Sequence, residues 1–314
     1  MKKTILVLIC FIVITGCSEN KEILKFATGS TGGTYYPLGS AIAELITDES
    51  SVMVNAYTGN ASVSNTHMID DELIDMALVQ SNVAAWAREG IGSFDNEPVD
   101  SITGIASLYS EVIQIIVREK AGIETFYDLK GKRVSLGKKD SGNYFDANNL
   151  FEAHMMSLEL VDPYYLTFSE AIVEMDKGNL DAVFITSGIP TSSVTLMSSK
   201  VNINMLSIED VILTKMINDY PFYTREIVPA NTYIGQTNDK ITLSTRALWI
   251  CDESLDEEVV YDMLDSFWTY YDRLSDVHQS AVELSLEDAL EGMSIPLHPG
   301  AITYYKEHGF EVQD

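Results

Sequence analysis

Cysteine, histidine and basic side chains are all scarce in this sequence. Cysteine occurs at Cys10, Cys17 and Cys251, histidine at His67, His154, His278, His298 and His308, and 20 Lys and Arg face 47 Asp and Glu, for a formal charge of −27. The histidines have no spacing that builds a metal site on one helix. The acidic runs lack the alternation of Asp or Asn around a central Gly that a calcium loop uses. No cofactor and no metal is therefore expected. Such an excess of negative charge repels phosphate backbones and anionic lipid surfaces, which excludes nucleic acid as a partner. No Gly-x-Ser-x-Gly elbow frames a serine nucleophile. Cys251 lies in an apolar stretch with no basic neighbour in sequence to activate it, and reads as inert core. With no converging acid, base or nucleophile, the chain reads as non-enzymatic.

Long apolar runs are missing too, with one short exception. Ile5 to Ile14 is apolar throughout, follows Lys2 and Lys3, and precedes Thr15-Gly16-Cys17-Ser18. Ten residues are too few to span a bilayer, so residues 1–16 read as a signal peptide. The tetrad Ile14-Thr15-Gly16-Cys17 resembles the bacterial lipobox, which implies lipidation at Cys17, a tether over 17–22, and an exported protein held at the outer face of the cell membrane or in the periplasm. Cys10 would leave with the signal and Cys17 would be acylated, so Cys251 has no partner for a disulfide. The fold must rest on its hydrophobic core, and the length allows two lobes.

What is present is a repeated strand-turn-helix pattern. Leu24 to Ala27 reads as a strand, the Gly-rich stretch Thr28 to Thr34 as a turn, and the next segment as a helix with Pro37 in its first turn and Leu38, Ala41, Ile42, Leu45 and Ile46 on one face. Strands are expected at Val52 to Val54 and Asp75 to Val79, with a helix from an Asn60 cap through Met68 between them. The pattern recurs with Arg133 to Leu136, a polar turn through Asn143, a helix from Tyr144, and a strand at Ala182 to Ile185. Thr31-Gly32-Gly33-Thr34-Tyr35-Tyr36 aligns with Asp140-Ser141-Gly142-Asn143-Tyr144-Phe145, and Ile74 to Asn82 aligns with Leu180 to Gly188. The β-α-β order implies parallel sheets whose strand ends gather at one edge. Gln114 to Arg118 and Thr245 to Cys251 read as two crossover strands forming a hinge. The acidic clusters Asp70 to Glu72 and Asp256 to Glu258 read as solvated helix starts. Val259, Met263, Phe267 and Tyr271 mark a helix, before a turn at Pro296 to Gly300.

The turn Gly29-Ser30-Thr31-Gly32-Gly33-Thr34 lacks both the dinucleotide and the P-loop patterns. What remains is free backbone N–H at a helix start, suited to a carboxylate. Tyr35, Tyr36, Tyr57, Tyr109 and Tyr144 stand near the strand ends, where phenols suit a pocket or a core equally well.

The segments Thr28 to Ile46, Thr58 to Asn65, Asp75 to Ala84, Ile105 to Glu111, Asp128 to Gly137 and Ile295 to Tyr305 together resemble the TAXI class of solute receptors, which serve tripartite ATP-independent (TRAP) transporters. The resemblance implies an α/β, class II periplasmic-binding-protein fold: two lobes joined by a two-strand hinge, with an interlobe ligand cleft. The lobes would be 23–108 plus 248–314, and 109–247. It implies a small carboxylate-bearing ligand, glutamate-like or an organic acid, and a TRAP permease driven by an ion gradient as partner. Carried over by motif, the ligand residues are Thr31, Gly32, Gly33, Tyr35, Asn60, Gln80, Ser81, Ser107, Ser141, Gly142, Asn143, Ser187 and Gly188. Gly32, Gly33 and Gly142 would offer backbone N–H to carboxylate oxygens. Lys138 and Lys139 stand where the family has a different loop; they favour an anionic ligand or form a solvated loop. A sensor that presents its loaded state to a receptor kinase is the alternative on the same fold.

Overall fold

The computed structural model describes residues 23–59, 61–94 and 96–312. The expected signal peptide, the lipidation site Cys17, the tether and Asn60 lie outside the described residues.

The first half of the fold begins with β1 (Ile23–Ala27), α1 (Tyr35–Glu49), β2 (Met53–Tyr57), α2 (Ser62–Asp70), β3 (Met76–Gln80) and α3 (Ser81–Glu89). The long strand β4 (Ile102–Arg118) follows. The second half contains β5 (Arg133–Ser135), α4 (Gly142–Ala153), β6 (Asp162–Tyr164), α5 (Phe168–Lys177), β7 (Ala182–Ser187), α6 (Ser192–Lys200), β8 (Ile203–Leu206), α7 (Asp210–Asp219) and β9 (Thr224–Val228). The return strand β10 (Lys240–Asp252), α8 (Glu257–Tyr270) and α9 (Pro299–Glu307) complete it.

The strands run in the order β2-β1-β3-β10-β4-β7-β5-β6, with β8 also on β4 and β9 also on β10. β1 pairs in parallel with β2 and β3, and β5 in parallel with β6 and β7. Those two parallel units are the two sequence repeats. Between them β4 and β10 pair antiparallel with each other; β10 also pairs with β3, and β4 with β7. β4 thus enters on one half and leaves on the other, and β10 returns beside it.

Alternation along the strands sorts side chains into layers. Met76 and Leu78 pack with α1, α8 and α9, whereas Ala77 and Val79 pack with α2 and α3 on the opposite face. In the second half Phe184 packs with α4 and α7, and Val183 and Ile185 with α5 and α6. Both faces of the sheet are covered, as parallel units require.

Several sequence expectations change in detail. The crossovers are much longer than the apolar runs that announced them, because β4 is buried on both faces and its polar residues Thr103, Ser107, Glu111 and Gln114 are buried with the rest. Asp70 to Glu72 ends α2 instead of starting a helix, whereas Asp256 does cap α8, its Oδ1 accepting from Glu258 N at 2.9 Å. On α8 the buried stripe is Val260, Met263, Leu264, Phe267 and Trp268; Val259 is only partly buried, and the helix stops before Tyr271. The expected turn at Pro296 to Gly300 leads into α9, with Pro299 in its first turn and His298 Nδ1 at 3.1 Å from Gly300 N.

Candidate functional site

The ends of β1, β3, β5 and β7 open toward one cavity of about 90 Å³. The β1–α1 turn supplies Gly29, Ser30, Gly33, Thr34 and Tyr35; the start of α2 supplies Ala61 and Ser62; and β3 supplies Gln80. From the other half come Gly137, Lys138, Ser141, Gly142 and Asn143 between β5 and α4, Leu166 to Phe168 at the start of α5, and Thr186 and Ser187 at the end of β7. Glu111 reaches the cavity from β4. The first turns of α1, α2, α4 and α5 therefore all border the same space. Each helix start carries backbone N–H groups without intrahelical acceptors and the positive end of its dipole.

Of the residues expected here, Gly33, Tyr35, Gln80, Ser141, Gly142, Asn143 and Ser187 line the cavity. Thr31, Gly32, Ser81, Ser107 and Gly188 are placed outside the lining. Thr31 is exposed. Gly32 sits against Phe168 and Ser169, and Gly188 against Ser280 and Thr34. The Ser81 hydroxyl bonds Thr245 Oγ1 at 2.7 Å, and the Ser107 hydroxyl accepts from Arg246 Nε at 3.0 Å, so both knit β10 to its neighbours.

Two of the lining residues hold the fold by their side chains. Asn143 Nδ2 donates to Leu136 O at 2.9 Å and Phe184 O at 3.0 Å, while its Oδ1 accepts from Thr186 N at 2.6 Å. This ties β5 to β7 at their cavity ends. The first half uses Asn65 in the same way, donating to Thr28 O and Leu78 O. Ser141 caps α4, its Oγ accepting from Tyr144 N at 3.1 Å.

Hydrogen bonds join the halves around the cavity. Thr34 and Ser187 share a hydroxyl–hydroxyl bond of 3.0 Å. Asp146 on α4 accepts from Gln80 Nε2 at 2.9 Å and Asn82 Nδ2 at 3.0 Å, both from the first half. Thr186 Oγ1 at 2.7 Å and Tyr223 OH at 2.6 Å complete its shell. Burial pushes the Asp146 carboxyl above its ordinary range, against the pull of those four donors. Trp86 packs edge-on to Phe145 and Phe222 beside this network.

The second buried carboxylate, Glu111, accepts from Tyr35 OH at 2.5 Å. Burial raises its pKa to about 8, with the Tyr35 hydroxyl opposing and Asp146 adding to the rise. Glu111 and Asp146 were not anticipated as site residues. A polar residue inside the apolar β4 run was the available signal, but nothing local says which of Ser107, Ser110, Glu111 and Gln114 meets a cavity. Among the described residues no group of three or more His, Cys, Asp or Glu side chains is placed to hold a metal ion.

Residues 26–309 match the model of the NMT1-like family. The structure is similar to the ligand-binding component of an ABC-type import system from Staphylococcus aureus solved with zinc bound, at 11% identity over 91% of this chain and 92% of that one, with a TM-score of 0.51. It is also similar to a protein of Bordetella bronchiseptica RB50, at 14% identity over 90% and 88% of the two chains and a TM-score of 0.52. The alkanesulfonate-binding protein SsuA from Xanthomonas axonopodis pv. citri, bound to MOPS, gives 13% identity, coverage of 91% and 83%, and a TM-score of 0.49. For the Staphylococcus aureus and Bordetella bronchiseptica proteins the likeness concerns the fold, and it agrees with the two parallel units bridged by β4 and β10. The chain belongs to the NMT1-like family, and its α/β fold is shared with the ligand-binding component of an ABC-type import system.

Proposed function

We propose that this protein is a non-enzymatic, extracytoplasmic solute receptor that closes on a small carboxylate-bearing molecule and delivers it to a membrane permease. The observation that carries this reading is the convergence of four helix N-termini, two from each half, on one small cavity. Free N–H groups and aligned dipoles favour a compact anion there. The lobes are 23–108 plus 248–314, and 109–247, so the boundary falls within β4 and β10 and closure is rotation about those two strands. We assign ligand contacts to Gly33, Tyr35, Gln80, Ser141, Gly142 and Ser187, and also to Ser62 and Glu111, which line the same cavity.

The permease is of the TRAP type, on the strength of the TAXI-like segments in sequence, and Cys17 carries the lipid that keeps the receptor at the membrane. The ABC-type association of one structural neighbour is a property of that protein. Mass spectrometry of solutes released on denaturing the natively purified protein, followed by calorimetric titration with the compound found, tests the receptor role. Conversion of that compound on incubation, or absence of any saturable binding, would contradict it. Crosslinking the lipidated protein in its own membranes and identifying the captured integral subunits tests the permease class.

A further inference from the structure

Four helix N-termini explain an anionic group on the solute but leave Glu111 unexplained. This side chain is 3% exposed and nevertheless borders the cavity. Its one hydrogen bond among the described residues is from Tyr35 OH to Oε2. The titratable groups that act on it are Tyr35 from α1, Tyr109 from β4 itself and Asp146 from α4, none of them cationic. Among the cations of the described residues, Lys138 alone lines the cavity, and its charge acts on Glu170. Arg246 is directed to Ser107, Ser110, Leu108 and Glu291. A buried carboxylate of this kind is costly unless something pairs with it. Asp146 shows the contrast, since four donors already satisfy it inside the protein.

We propose that Glu111 is the specificity residue for a protonated amine on the solute, so that the cleft accepts amine-bearing carboxylates and rejects the same carboxylates without the amine. This rests on the receptor role proposed above and adds the ligand's second charge. The amine enters between the carboxylate and the helix starts, and donates to the Glu111 oxygen that Tyr35 leaves free. A dicarboxylate or sulfonate lacking an amine would leave the buried Glu111 carboxyl without a cationic partner. Tyr35 is a positioning residue, fixing the Glu111 carboxyl through its hydrogen bond to Oε2.

The test is thermal-shift screening followed by calorimetry on the full purified protein, using the twenty L-amino acids and, for each, the matching acid without its amine, such as glutarate beside glutamate. Saturable binding by one or more amino acids is expected, with the matching amine-free acid at least tenfold weaker. Glu111→Gln should weaken the bound amino acid at least tenfold while the ligand-free protein stays folded. Calorimetry in buffers of different ionisation enthalpy should show that the amino acid releases close to one proton at pH 7, because a carboxyl with a pKa of about 8 is mostly protonated in the empty cleft and loses its proton to pair with the amine. Equal binding of an amino acid and its amine-free acid, or full affinity in Glu111→Gln, would overturn this inference and leave the receptor role standing. No saturable binding by either set would overturn both.

Discussion

Gly33 and Gly142 occupy matching places in the two sequence repeats, yet the structure gives them opposite sensitivities to a side chain. Neither has positive φ, so alanine is free of backbone strain at both. A Cβ at Gly33 would meet the Phe168 ring at 3.5 Å, an ordinary contact. A Cβ at Gly142 would fall on the Gln80 amide, and that amide is anchored by its bond to Asp146 across the two halves. Gly142→Ala must therefore break the bond from Gln80 to a buried carboxylate, and a hydrogen bond to a charged group contributes about 1.5 to 3 kcal/mol. At the scale appropriate to a chain of this size, roughly 2 to 4 °C for each kcal/mol, the melting temperature should fall by several degrees. Gly33→Ala should stay within about 1 °C. Since Gln80 is one of the bonds holding the halves together, Gly142→Ala should also increase the radius of gyration of the ligand-free protein in small-angle scattering. Differential scanning calorimetry and scattering on the two variants measure both effects. Equal melting losses, or an unchanged radius for Gly142→Ala, would refute the assignment of Gln80 and Asp146 as an interlobe tie.

Glu111 makes a pH prediction whose direction follows from its raised pKa. Folding moves it from an ordinary 4.5 to about 8, so the folded state binds the proton more tightly and stability declines as pH rises between those values. At about 1.4 kcal/mol for each tenfold change in proton affinity, Glu111→Gln should melt like wild type near pH 4.5 and be more stable by on the order of a few kcal/mol above pH 8; a pH-independent difference would count against a buried, unpaired carboxylate. If Cys17 is lipidated, wild type should enter the detergent phase on Triton X-114 separation and Cys17→Ser should remain aqueous, as expected when acyl chains provide the anchor. Saturating solute should return the radius of gyration of Gly142→Ala toward that of wild type, because only a closed cleft lets one molecule touch both halves; an unchanged radius would argue against hinge closure.

The sequence by itself determined the elements and their repetition, because those are local properties. Gly-containing turns between apolar strands and the helices that follow them, and the four-residue spacing of Leu38, Ile42 and Ile46 in α1, act over a few residues and need no distant partner. Turn chemistry likewise places Gly33, Tyr35, Ser141 and Gly142 at the sheet edge that borders the cavity. Tertiary structure decided which polar groups meet the cavity. Ser107 and Glu111 lie on the same face of β4, but four residues of strand separate them by roughly 13 Å. One therefore bonds Arg246 on β10 while the other meets Tyr35 at the cavity. Asp146 is one polar position among several in α4, and it is an interlobe tie only because Gln80 and Asn82 arrive from the other half of the chain. Pairing across more than sixty residues is set by how β4 and β10 align the two sheets, and no local pattern encodes that alignment.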